Sequence, residues 1–545
     1  MSEETEVIES EVVEIANVPV VVPVRNKKQT TFYGRRKISS SWTKEDLDIK
    51  KILDILPSVL REHDKNAREI EYLYNYYKGK QPILGKKKVV REEINNVVLE
   101  NHAFEIVEFK KTWLYGEPVK YIQKGEKNIE KVNPEISILN RFMESEDKSS
   151  KDKEIAEWQY IAGTAYRWVD SDTDSEEDDA PFEISVPDPR RTFVVYHSGI
   201  NEYPLFSGYI SYLSDNIQTE ERKEYTTQYR LITIYTDTDI YKIKESYQNK
   251  YEFILQKQVI KDGDRKTEVE GYPLIIKGQR IIEYPLNNAR LGLIELVITG
   301  LNALNKIKSD DLDGIDQFVQ SLLVFVNQEI DADKFKELVS LGAVEINSSD
   351  PSKPADVKLL GEQLSHSETK ILTDDIYNNI LTICGIPTLS HKSSGGDTGQ
   401  AKLLSEGWTM ADERAKQDEL SFKKSEKQFL KVVLRICKER PIKGSSENIN
   451  KLKLSDLDIK FDRNKSDNLQ VKTQGLMNMK SAEVAPDVAF STCGLFSDPN
   501  EVYEKSKKHF GENFWVSESK TKENNTPIAS NITKNSKADQ DVKNK

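Results

Sequence analysis

The sequence predicts an α+β chain that is mainly helical, and three observations carry that expectation. Up to residue 168 and again after residue 285, apolar residues recur at spacings of three and four, as on helices with one buried face. Between Phe182 and Tyr284, short β-branched and aromatic runs alternate with turns, the pattern of antiparallel strands. The two regions are joined by PLNNARLGLIELVITGLNALNKIKSDDLDGID, Pro285 to Asp316, in which Leu291, Ile294, Val297, Ile298, Leu301 and Leu304 keep helical spacing. Asn287 or Asn288 can cap this helix, while Asp310, Asp311 and Asp313 with Gly314 weaken its end. At about 1.5 Å per residue, 26 residues from Leu291 span roughly 39 Å, long for a globular helix.

The elements follow in order. Residues 1–40, which begin MSEETEVIESEVVEIANVPVVVPV, are acidic where a secretory signal is basic, and they read as a disordered tail. Trp42 to Leu60 opens with Thr43 and Asp46 in capping-box spacing and predicts a helix at least as far as Pro57. A second runs from Glu62 to Tyr77 and stops at Gly79. Lys86, Lys87, Lys88 and Arg91 read as a solvated loop rather than a nucleic-acid contact. Further helices are expected over Asn96 to Tyr115, Ile136 to Met143 and Glu154 to Trp168. The acidic run Asp170 to Asp179 has calcium-loop spacing at Asp170, Asp172 and Asp174, but Ser175 and Pro181 stand where that loop needs Gly and Glu, so it carries no calcium site. FEISV, TFVVY, GYISY, YRLITIYT, DIYKI and YEFIL are the expected strands. After the long helix, FVQSLLVFVNQEI and ELVSLGAVEIN are apolar and VKLLGE is strand-like. Ser367 to Ile383 is helical and ends at Gly385 and Pro387. LSHKSSGGDTG precedes a helix from Gln400 to Arg440, then a strand over Leu454 to Phe461 and helices over Leu469 to Met479 and Asn500 to Phe510. Residues 517–545 are polar, of low complexity and expected to be disordered.

Composition narrows the function. A chain of 545 residues, 37% hydrophobic and 31% charged, can build several cores and stay soluble. No run of 18 apolar residues occurs, so no membrane partner is expected. Cys384, Cys437 and Cys493 are too few and too scattered for a disulfide framework and read as reduced thiols. A formal net charge of −12 argues against holding nucleic acid by blanket phosphate neutralisation. It leaves room for a conduit past which a duplex slides.

Chemistry has no visible carrier. SSGGDTGQAK lacks the G-x-x-x-x-G-K-[ST] pattern, and Lys402 is displaced from the P-loop position. The six histidines form no His-x-x-x-His pair and the cysteines no Cys-x-x-Cys, so neither metal nor cofactor is expected. No G-x-S-x-G elbow is present.

Four segments in register point further: Leu73 to Leu84 (LYNYYKGKQPIL), Asn95 to Ile122 with its Gly-x-Pro-Val turn, Pro285 to Gly292 with Glu295, Leu301, Asn305, Ser309 and Asp310, and Cys384 to Leu404 (CGIPTLSHKSSGGDTGQAKLL). Together they resemble the portal proteins of long-tailed phages of Gram-positive bacteria, over roughly residues 45 to 515. The resemblance implies a portal fold. Its parts are a wing over 41–285 (helical over 41–168, β-rich over 182–284), a stem helix over 286–316, a small α/β clip over 317–365 and a second stem helix over 366–386. A tunnel loop over 387–399, a long wing helix over 400–440 and a helical crown over 441–516 follow. It also implies a homo-oligomeric ring, a dodecamer, in the capsid vertex of the virion and assembled in the host cytoplasm. Double-stranded DNA would pass through it, with the terminase large subunit, a head-completion adaptor, and scaffolding and major capsid proteins as partners. His391, Lys392, Ser393, Ser394, Gly395, Gly396 and Asp397 would face DNA, and Lys306 and Lys308 would stand on the channel wall. In such a ring one Lys per chain becomes a belt of about twelve charges, spaced near the Debye length of about 8 Å. The rival readings are a nucleotide-binding enzyme with an unrecognised site and a monomeric DNA-binding accessory protein.

Overall fold

The computed structural model describes residues 12–15, 18–21, 32–88, 92–124, 133–171, 180–214, 228–245, 253–262, 265–319, 322–326, 356–360, 366–388, 407–440, 449–461, 469–493, 495–496, 499–511 and 515. They fall into two compact units, residues 1–122 with 134–463, and residues 123–133 with 464–545.

In the larger unit a short hairpin of β1 (Val12–Ile15) and β2 (Val18–Val21) comes first. β3 (Ile38–Ser40) then joins a sheet in parallel with a later strand. The disordered tail expected up to residue 40 is therefore shorter, because Arg35 and Ile38 are buried.

Helix α1 (Ile49–Tyr77) is one helix where two were expected. Pro57 removes one backbone bond, but Ile52, Leu56, Val59, Leu60, His63, Ile70 and Leu73 are all buried along it, and that continuous apolar face outweighs the break. Its cap is Asp48, which accepts from Lys51 N at 2.8 Å, whereas Thr43 and Asp46 bond to each other in the turn before it. α2 (His102–Tyr115) starts later than Asn96, for a reason given below. β4 (Lys120–Gln123), α3 (Glu135–Ser145) and α4 (Lys148–Ala162) follow.

The helix expected to reach Trp168 stops at Ala162, and β5 (Thr164–Ser171) replaces its end. Gly163 is the cause: its φ of 77° closes the helix, and a Cβ there would overlap the Arg290 carbonyl.

The strand region matches the expected runs. β6 (Phe182–Ser185), β7 (Thr192–His197), β8 (Pro204–Ser214), β9 (Gln228–Tyr235), β10 (Asp239–Glu245) and β11 (Phe253–Leu255) are followed by the hairpin β12 (Gln258–Asp262) and β13 (Arg265–Val269), then β14 (Tyr272–Pro273) and β15 (Ile281–Pro285). One sheet runs β11-β10-β9-β8-β7-β3 with β14 beside β10, and a second runs β15-β5-β6. The first half of α1 packs on the larger sheet through Ile52, Leu56, Phe193, Phe206 and Ile232.

α5 (Leu293–Val319) is the long joining helix, at 27 residues. It begins later than Asn287 or Asn288 and runs through the acidic cluster. β16 (Leu322–Val326) pairs antiparallel with β17 (Asp356–Leu360), followed by α6 (His366–Cys384) and α7 (Trp408–Glu439). β18 (Leu457–Lys460) pairs with β4. The main core joins α2, α4, α5, α6 and α7 through Ile106, Ile161, Leu301, Ile380, Phe429 and Val433.

The smaller unit holds α8 (Leu469–Ser481), α9 (Pro486–Thr492) and α10 (Pro499–Phe510). Phe490 packs against Phe496, Tyr503 and Trp515, and Trp515 Nε1 donates to Val484 O at 2.8 Å. The three cysteines are free thiols. Cys384 and Cys437 are buried, which pushes their pKa up to about 12 and leaves them inert.

Candidate channel wall and loop base

The joining segment is built around close backbone approaches. Gly163 lies against Arg290 and Leu291, Gly292 against Ile161, and Gly34 against Ala289, with no room for a Cβ at any of the three. Asn287 grips Leu291 at both ends of its amide, accepting from N at 3.0 Å and donating to O at 2.9 Å. Arg290, itself at φ 55°, donates twice to Glu283 at 2.6 and 2.9 Å. Glu295 accepts from Gly292 N at 2.7 Å and pairs with the buried Arg35. The residues of PLNNARLG that stand out in the sequence thus hold the entrance of α5 in place.

Along α5 an extended segment takes the place of the expected first turns of α2. Glu100 N donates to Asn305 Oδ1 at 2.9 Å, Val98 N to Ser309 Oγ at 3.0 Å, and Asn96 N to Asp313 Oδ1 at 2.6 Å. The registers match because two extended residues advance about 6.6 Å and four helical residues about 6 Å. Asn305 also donates to Gln81 at 2.6 Å. A helix over 96–101 would forfeit this ladder.

The basic loop and the acidic cluster, read separately in the sequence, neutralise each other. Lys86 lies 2.8 Å from both Asp310 and Asp313, and Lys88 lies 3.0 Å from Asp313. Burial pushes the Asp313 carboxyl up, but the bonds from Lys86, the Asn96 N–H and Lys88 outweigh it and bring its pKa to about 2. With its charge paired, the cluster no longer ends the helix. Lys86 and Lys88 are therefore neither a solvated loop nor a phosphate contact. Lys87 is exposed, and Arg91 lies outside the described residues.

Of the two proposed wall lysines, Lys306 is exposed on α5, and Lys308 lies 3.7 Å from Glu100. α5 and α6 pack together where Gly300 admits Ile380 and Ile376. On this pair Leu296, Ile371, Leu372 and Ile383 are exposed, Ile371 by 68%.

His391, Lys392, Ser393, Ser394, Gly395, Gly396 and Asp397 lie outside the described residues, as do residues 400–406 and most of 317–365. The base of the loop is described. A Cβ on Gly407 would lie 3.7 Å from Pro387 Cα, so the segment leaves and returns at one point. Arg414 fastens this base: it donates to Ile383 O at 2.6 Å and packs over Gly385, at φ 67°. Trp408 packs on Trp113, their ring centres 5.0 Å apart.

Sequence reasoning missed the most buried polar feature. Arg167 in β5 bonds to Glu426 in α7 at 2.8 Å and to Asp152 in α4, and Lys148 lies 3.1 Å from Glu426. Tyr284 donates to Glu426 at 2.7 Å. Two cations face two carboxylates, and burial alone would push Glu426 up. Arg167 and Lys148 beside it, with hydroxyl bonds from Tyr121 and Tyr284, hold it well below the usual carboxylate range. The only sequence signal was a Glu on the apolar side of a long helix.

Among the described residues no group of three or more His, Cys, Asp or Glu side chains could hold a metal, and no helix is long and apolar enough to cross a membrane.

Against known proteins, residues 57–512 match the family model described as phage portal protein, SPP1 Gp6-like. Similar solved structures include the neck of an empty GTA particle computed with C6 symmetry, at 11% identity over 71% of this chain and 87% of that one, TM-score 0.36. Another is the neck of a native GTA particle computed with C12 symmetry, at 12% identity over 72% and 89%, TM-score 0.37. No curated protein matches. The family model spans most of the chain, and the chain accordingly belongs to the SPP1 Gp6-like phage portal proteins: it is a structural, non-enzymatic, ring-forming component of the virion's capsid vertex.

Proposed function

We propose that the chain closes into a dodecameric ring whose axial channel conducts double-stranded DNA into the capsid during packaging and out of it during ejection, in a long-tailed phage of a Gram-positive host. The observation that carries this reading is the set of exposed apolar residues on the α5 and α6 pair. Leu296, Ile371, Leu372 and Ile383 are exposed on two adjacent helices, and in a closed ring the neighbouring subunit covers such a face at every position. The helix pair suits a channel wall because its backbone bonds are internal and only side chains face the axis. In this reading Lys306 and Lys308 stand on the wall. The segment over 387–399 is the tunnel loop, with His391, Lys392, Ser393, Ser394, Gly395, Gly396 and Asp397 facing DNA.

In this reading the wing covers 41–285, the stem helices 286–316 and 366–386, the clip 317–365 and the crown 441–516. The clip, over 317–365, docks the terminase large subunit and later a head-completion adaptor. Scaffolding and major capsid proteins meet the outside of the ring. Energy for translocation comes from the motor's ATP. Imaging purified particles end-on tests the ring directly, and a compact single-copy molecule would overturn it. Deleting Ser393 to Asp397 separates the channel from the ring: rings persist and DNA packaging falls, and unchanged packaging counts against the loop assignment.

A further inference from the structure

We infer that His102 is a proton-operated clamp that fastens α6 to α2 and to the extended segment lying along α5. His102 is the first residue of α2, and its two ring nitrogens face two carboxylates. Nδ1 lies 2.7 Å from Glu105 Oε2 and Nε2 lies 3.2 Å from Glu100 Oε2. A carboxylate only accepts, so the ring satisfies both acids at once only as an imidazolium, with both nitrogens donating. The start of a helix disfavours a cation, so the two acids, not the helix, hold this charge.

The clamp reaches α6 through Tyr377. That ring lies 4.6 Å from the His102 ring, and its hydroxyl donates to Glu105 Oε1 at 2.7 Å. Among the described residues, the other charged group facing the cluster is Lys308 of α5, 3.7 Å from Glu100. One proton on His102 thus binds α2 to the segment before it and orients the carboxylate that receives α6.

Burial lowers the His102 pKa, but the bonds to Glu105 and Glu100 outweigh burial and raise it. The Glu105 pKa falls, first through the bond from His102, with Tyr377 adding to it against burial. Because the folded pKa lies above the ordinary value of about 6.5, the clamp is fully closed below that value. It opens as pH rises through the folded pKa. A neutral imidazole keeps one N–H, so one of the two carboxylates then faces a lone pair. Around Tyr377, Asn378, Asn379 and Thr382 are exposed, so the loss is felt locally on α6.

The clamp depends on the folded chain and not on the ring or on DNA passage, so failure of either leaves its test intact. Amide hydrogen exchange of the full chain is measured between pH 6 and 9, corrected for intrinsic base catalysis, with the β8 and β9 amides as internal reference. In the wild type, protection of the α6 amides falls about tenfold as pH rises, the worth of a hydrogen bond to a charged group. In His102→Gln it is low throughout and has no step. Tyr377→Phe, which keeps the ring and removes the bond to Glu105, lowers protection and shrinks the step, and a full step in this variant also overturns the inference. A flat wild-type profile, or a step that survives in His102→Gln, overturns the inference.

Discussion

Arg167 and Glu426 meet at 2.8 Å with no exposure of either side chain, although 259 residues separate them in the chain. Arg167 also lies over the rings of Tyr284 and Phe429, at 4.9 and 4.7 Å. This contact pins the middle of α7 to the central strand of the three-stranded sheet. Removing one partner strands a charge in the core. Glu426→Leu and Arg167→Met should each lower stability by about 3 to 5 kcal/mol in urea unfolding, and the double variant should recover part of the loss. Equal losses of under about 1 kcal/mol would show that the network is solvated.

The Asp313 carboxyl supports a pH prediction. Its pKa is depressed to about 2, so its stabilisation is complete above the unfolded value of about 4 and is lost as pH falls through about 2. Asp313→Asn should cost about 2 kcal/mol at neutral pH and flatten the acid limb of the stability curve. An acid limb identical to the wild type would place the pairing with Lys86 and Lys88 elsewhere.

Asn305 tests the ladder on α5. Its side chain accepts from Glu100 N and donates to Gln81, and both partners lose their bond in Asn305→Leu. The expected loss is about 1 to 3 kcal/mol, with hydrogen exchange rising first over residues 96–101. Exchange unchanged in that segment would mean that the ladder contributes nothing.

For the ring, Ile371→Glu combined with Leu372→Glu places charge on an exposed apolar face and leaves the monomer's core untouched. Light scattering should then report small species in place of large assemblies. Rings of unaltered mass would remove this face from the subunit contact.

Trp515 marks where the chain can be shortened. Truncation after Val516 keeps its bond to Val484 and its packing on Phe490, so soluble rings should persist. Truncation after Gly511 removes it and should lower the melting temperature of the smaller unit. If both truncations melt alike, the aromatic cluster has no role in that unit's stability.

Local patterns made much of the fold legible in advance, because helix and strand periodicity depend on neighbours a few residues away. The six expected strand runs and the helix expected over Ser367 to Ile383 stand where their spacing put them, and a long helix follows Pro285, although it starts at Leu293 and runs through the acidic cluster. The motifs also identified the family, yet not what Asn287, Arg290 and Glu295 do there, since their partners at Leu291, Glu283 and Arg35 are tertiary. Where expectation and structure part, the deciding contact is distant: Asn305, Ser309 and Asp313 pull residues 96–100 out of a helix, and Arg290 lies against Gly163 where α4 stops. The sequence by itself determined element types and family membership, through short-range periodicity and motif order. Only the tertiary structure decided which charges are neutralised and which helices are cut short, because a buried polar group takes its energy from whichever partner folding brings within about 3 Å.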